Sequence, residues 1–142
     1  MTDSLFRYRA RIDNVVDGDT LDFTIDLGFN ITRDIRVRLK DVDTNEIYGS
    51  KKGSDEYKAG IRQKDYVVSW IVAASTVHNS HYPLVVQTYK DGTGKYGRYI
   101  ADVQVRSEDT PSGNTDSLTV KGEATSRSLV RALQRKFPEV AT

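Results

Sequence analysis

The sequence predicts an α+β domain in which five strands form a small barrel with two to three helices, one after the third strand and one at the end. Three observations carry this prediction. Apolar residues alternate with polar ones through the first 40 residues, the spacing changes to a helical one after Ser54, and alternation returns after Pro83. One domain is expected over residues 1–142, a length that buries an adequate core.

Each element follows from its own residues. "LFRYRARI" sets Phe6, Tyr8, Ala10 and Ile12 against Arg7, Arg9 and Arg11, which is a strand with one wet face. "TLDFTIDL" repeats the pattern with Leu21, Phe23, Ile25 and Leu27 inward. "GFN" turns the chain, and "IRVRLK" sets Val37 and Leu39 against Arg36, Arg38 and Lys40. From Ser54 to Ser75, Ile61, Val68 and Ile71 mark a helical stripe flanked by Val67, Val72 and Ala74. Asp55 and Glu56 suit its first turn, while Gly60 argues for a start beyond it. "LVVQTY" and "YIADVQV" are the fourth and fifth strands, "EDTPSGNTDS" is a loop, and Leu129, Val130, Leu133 and Phe137 stripe a terminal helix. A meander of three strands, a helix and a returning pair is the element order of an OB-type Greek-key barrel.

Composition excludes several classes. Charged residues make up 29% and hydrophobic ones 37%, with no apolar run near the roughly 20 residues that span a bilayer. No membrane association is expected, and "MTDSLFRYRARI" lacks a secretory pattern, so a cytoplasmic chain is expected. Absence of cysteine removes disulfides, thiolate metal sites and cysteine nucleophiles. Net charge is +1, but residues 1–50 carry 7 Lys/Arg against 10 Asp/Glu, and residues 51–100 carry 8 against 4. An acidic first part can thus face a basic middle across one cleft.

Three segments concentrate chemistry. "RLKDVDTNE" begins like an EF-hand loop, yet Glu46 stands where that loop needs glycine and Lys52 where it needs the final glutamate. "VVDGDT" places Asp17, Gly18 and Asp19 in a turn, where the aspartates could simply build the hairpin. Asp19 is in phase with Leu21 and Phe23, and Asp43 with Val37 and Leu39. If both registers persist, two carboxylates meet at the barrel mouth, where at about 4 Å they repel by roughly 4 kcal/mol and require a cation or a shared proton. An all-oxygen set favours calcium or magnesium over zinc. "GTGKYGRY" fails as a P-loop because Tyr89 occupies the first glycine position and Tyr96 follows the lysine. It leaves Lys95, Tyr96 and Arg98 as a point charge, a ring and a planar fork suited to phosphate. Arg38 is out of phase with Asp43, so a bulge or curl is needed between Lys40 and Val42.

"VVDGDT", "RLKDVDTNE" and "KYGR", in this order and on these elements, resemble the signature segments of the staphylococcal nuclease (thermonuclease) family, over roughly residues 6–137. The resemblance implies an OB barrel and calcium-dependent hydrolysis of the 5′ P–O bond in DNA and RNA, preferring single strands and leaving 3′-phosphates. It implies that Asp19, Asp43 and the Thr44 carbonyl hold Ca2+, that Glu46 manages the attacking water, and that Arg38 and Arg98 grip the scissile phosphate. Lys95 and Tyr96 would hold a neighbouring phosphate, in a chain expected to be monomeric. Asn45 stands where the family usually has proline, the hairpin from Thr20 to Arg38 is about five residues longer, and the aromatic cluster after the last helix is missing. The alternative is a catalytically silent OB module that binds nucleic acid or serves in assembly.

Overall fold

The structure is a computed structural model that describes residues 6–49, 51–93, 99–106 and 117–142. Five strands close a barrel in the order β1-β2-β3-β5-β4: β1 Arg7–Asp17, β2 Thr20–Asp26, β3 Thr32–Leu39, β4 Leu84–Thr93 and β5 Tyr99–Val105. β3 and β5 pair in parallel through Val37 with Tyr99 and Leu39 with Ala101, and the other pairs are antiparallel. This is the expected OB-like α+β barrel with two helices. Closure depends on β1. Register shifts between Ile12 and Asn14 and between Val15 and Asp17 curl the strand, so that it pairs with β2 along most of its length and with β4 at its start.

The inward phase of β2 and β3 holds: Leu21, Phe23, Val37 and Leu39 are fully buried. Two expected core residues are exposed instead, Phe6 and Leu27. Phe6 precedes the first paired residue, and Leu27 follows the last one, where the extended hairpin leaves the barrel. Its tip turns through three successive left-handed residues, Gly28, Phe29 and Asn30.

The helix α1 spans Asp55–Val77, capped by Ser54, whose side chain accepts from the Tyr57 N–H. It starts before Gly60, not after it. Its buried face is Gly60, Gln63, Val67, Trp70, Ile71 and Ala74, whereas the expected stripe residues Val68 and Val72 are exposed. Two residues that apolar periodicity discounts, a glycine and a glutamine, set this phase. Trp70 fixes it further by donating its indole N–H to the Ser126 carbonyl at 3.0 Å. A short hairpin that the sequence reading missed, β6 Leu118–Val120 with β7 Glu123–Thr125, packs against α1. The helix α2, Leu129–Lys136, follows the expected stripe, with Leu129 and Leu133 buried and Phe137 edge-on to Tyr66. No helix among the described residues is long and apolar enough to cross a membrane.

Candidate functional site

Asp19 and Asp43 reach one end of the barrel by different routes. Asp19 closes the β1–β2 turn and is buried, as expected. Its Oδ1 accepts from the Thr20 hydroxyl at 3.0 Å, and its Oδ2 accepts from the Thr44 backbone N–H at 3.2 Å. Gly18 is needed at this turn because a Cβ there would sit 2.7 Å from the Thr44 Cγ2.

Asp43 does not keep the inward phase of β3. The strand ends at Leu39, Asp41 adopts φ 58°, and Val42 takes the buried place at the core, bridging to Ala141. The left-handed residue reverses the alternation. It supplies the curl that the parity of Arg38 and Asp43 requires, and it leaves Asp43 exposed. The same segment is tied to the C-terminal residues: the Asp43 N–H donates to the Val140 carbonyl at 2.8 Å, and the Gln134 side chain donates to the Asp41 carbonyl at 3.0 Å.

Arg38 joins the two carboxylates. Its Nη2 lies 3.3 Å from Asp43 Oδ1 and 3.7 Å from Asp19 Oδ2. A single guanidinium nitrogen therefore faces both acids, one buried and one in solvent. The arginine expected to grip phosphate and the two candidate metal ligands are thus brought together, with the Thr44 N–H on Asp19. Thr44 Oγ1 is buried with no hydrogen-bond partner among the described residues, and the Thr44 side chain packs against Gly18.

The two carboxylates are hard oxygen donors of the kind that calcium takes. Among the described residues, no three of His, Asp and Glu form a group that could hold a metal ion. A cation here would therefore rely on the two aspartates plus Thr44 and water. Asp17 adds to the local negative charge. Burial, the hydrogen bond with Asp19 and the Asp19 charge push its carboxyl up from 3.8 to about 6, although it accepts the Asp19 N–H at 3.2 Å.

Glu46 is on the same irregular segment as Asp43 and is exposed, its carboxylate lying against Gly49, where an added Cβ would collide with it. The remaining candidates, Lys95, Tyr96 and Arg98, lie outside the described residues.

Gln63 is a site residue that the sequence reading did not single out. It is fully buried on α1, its Oε1 accepts from the Asn45 N–H at 2.8 Å, and its Nε2 donates to Asn45 Oδ1 at 2.9 Å. One helix turn earlier, Gly60 lets the segment approach so closely that a Cβ would stand 2.7 Å from the Asn45 carbonyl oxygen. Asn45 is thereby held from three sides. The signal in the sequence was a glycine and a glutamine three residues apart on a helix, which apolar periodicity reads as weakness.

Fold and site together define a small five-stranded barrel with an acid–guanidinium cluster at one end. No protein-family model and no curated protein matches the sequence.

Proposed function

We propose that this chain is a calcium-dependent nuclease that hydrolyses single-stranded DNA and RNA at the 5′ P–O bond. The observation that carries the reading is the convergence of Asp19 and Asp43 on one nitrogen of Arg38, with the Thr44 N–H donating to Asp19. The resemblance of the three signature segments to the staphylococcal nuclease family supports it independently.

Asp19, Asp43 and Thr44 would hold the ion. Bound there, calcium would polarise a phosphoryl oxygen and offset the repulsion between phosphate and carboxylates. Glu46 accepts a proton from water as its oxygen attacks phosphorus. The bond to the 5′ oxygen breaks, that oxygen leaves as a 5′-hydroxyl by taking a proton from solvent, and the phosphate stays on the 3′ side. Arg38 turns from the carboxylates to the phosphate, and with Arg98 it meets the charge that grows on the equatorial oxygens. Lys95 and Tyr96 hold the neighbouring phosphate.

A second reading rests on the same contacts. A guanidinium that stays between Asp19 and Asp43 satisfies both acids without a metal, which suits a silent binding module. Digestion of single-stranded DNA with calcium, and again with a chelator, separates the two. The nuclease cuts with calcium, works poorly with magnesium, stops in chelator and leaves 3′-phosphates. Binding without cutting in calcium refutes the enzyme, and undiminished cutting in chelator removes the metal from the mechanism.

A further inference from the structure

A polar groove of about 720 Å3 runs between the outer face of β4 and β5 and the start of α2. It adjoins a smaller hollow of about 380 Å3 that contains Arg38, and the two share Lys40, Asp41 and Tyr89. The groove therefore connects, through Lys40, Asp41 and Tyr89, with the hollow beside Arg38.

Its charges are unequally satisfied. Asp102, on the floor, is buried and accepts from the Ser128 hydroxyl at 2.8 Å, from the Val103 N–H at 2.8 Å and from the Val130 N–H at 3.3 Å. It anchors the start of α2 and leaves little acceptor capacity for the wall. Lys40 pairs with Asp41 at 3.0 Å and stands 5.1 Å from the centre of the Tyr89 ring. Arg127 and Arg131 make no ion pair among the described residues, and Arg127 Nη2 is buried with no hydrogen-bond partner there. Arg127 and Arg131 both line the groove, and guanidinium groups are suited to pair with the oxygens of an anionic ligand lying in it.

The geometry points to this groove as a second subsite, in which Arg127 and Arg131 hold backbone phosphates of a single nucleic-acid strand that passes Lys40 and Tyr89 from Arg38. The inference rests on the nuclease reading for the strand's starting point. Its chemistry is independent of that reading. Spaced cations, one ring and a polar groove suit a flexible phosphate chain whose bases can stack.

The test uses the full chain without calcium and labelled oligothymidylates of four and twelve nucleotides, read by fluorescence anisotropy at several salt concentrations. The double variant Arg127→Ala/Arg131→Ala should weaken twelve-nucleotide binding by about tenfold and reduce the salt slope by about 1.4, two phosphate contacts at roughly 0.7 each. Four-nucleotide binding should change less than about twofold. The variant Arg127→Lys/Arg131→Lys keeps the charge and should retain most of the slope, which guards against a folding defect. Equal twelve-nucleotide affinity and slope in wild type and the double alanine variant would overturn the subsite. So would parallel loss for both lengths, or a twelve-pair duplex binding as tightly as the single strand. If wild type binds with this length dependence but never cuts in calcium, the nuclease reading fails and the subsite stands. If it cuts but the variants bind as wild type does, the subsite alone fails.

Discussion

Replacing Gln63 by alanine should loosen the segment that carries Asp43, Thr44 and Glu46, and the size of the effect can be worked from its contacts. Gln63 is fully buried and makes two hydrogen bonds to Asn45, at 2.8 and 2.9 Å. Such a bond contributes about 1 kcal/mol net, and stranding a buried partner costs about 1–3 kcal/mol. Asn45 is half-buried, so water can recover part of its loss, and about 2–3 kcal/mol of stability should disappear. Urea denaturation would read this as a lower midpoint at unchanged slope. A double-mutant cycle with Asn45→Ala should give a coupling of about 1 kcal/mol, since the two residues act on each other directly. The sharper perturbation is Asn45→Pro, which installs the residue usual in the nuclease family. Proline removes the N–H that Gln63 Oε1 accepts, in a place water cannot reach, so this change should destabilise the chain by about 1–3 kcal/mol. A neutral or stabilising Asn45→Pro, or a Gln63→Ala loss below about 0.5 kcal/mol, would show that the clamp does not hold the segment.

Gly60→Ala should also destabilise in thermal melts, although alanine normally gains about 1 kcal/mol over glycine inside a helix, because its Cβ would lie 2.7 Å from the Asn45 carbonyl oxygen; a raised melting temperature would refute the close approach. Asp17, with its pKa raised from 3.8 to about 6, binds its proton more tightly folded than unfolded, so its contribution to stability is full below about pH 4 and is lost as pH rises through 6. Asp17→Asn should remove that slope and stabilise the chelator-treated chain at pH 7; an unchanged pH profile would contradict the crowding of carboxylates at the turn. Under the nuclease reading, Glu46→Gln should lower turnover by about 100-fold or more with oligonucleotide binding nearly intact. Arg38→Ala should cost about 2.7–4 kcal/mol of activation energy. If either variant loses binding and turnover in parallel, the contact is made equally in the ground state and the assigned role is wrong.

The sequence by itself determined the barrel, because period-2 patterning is a local property and burial enforces it. Leu21, Phe23, Val37 and Leu39 point inward as their spacing required, and the strand–helix–strand–helix order leaves few ways to close five strands. Asp19 is buried as expected, but in a turn where Gly18, Thr20 and Leu21 are buried too, so burial there comes from the turn packing under Thr44 and not from strand alternation. Tertiary structure decided where regular spacing stops. Asp43 could not be placed by parity, because the left-handed Asp41 and the pairing of Val42 with Ala141 bring together residues about a hundred positions apart. The phase of α1 was likewise set from outside the helix. Gly60 and Gln63 face inward because the Asn45 segment packs against them and satisfies the glutamine, so the buried stripe holds two residues that hydrophobicity alone would turn to solvent. The approach of Arg38 to both acids has the same origin. Each side chain was readable as a candidate, but a distance between groups on separate elements exists only once the chain has closed on itself.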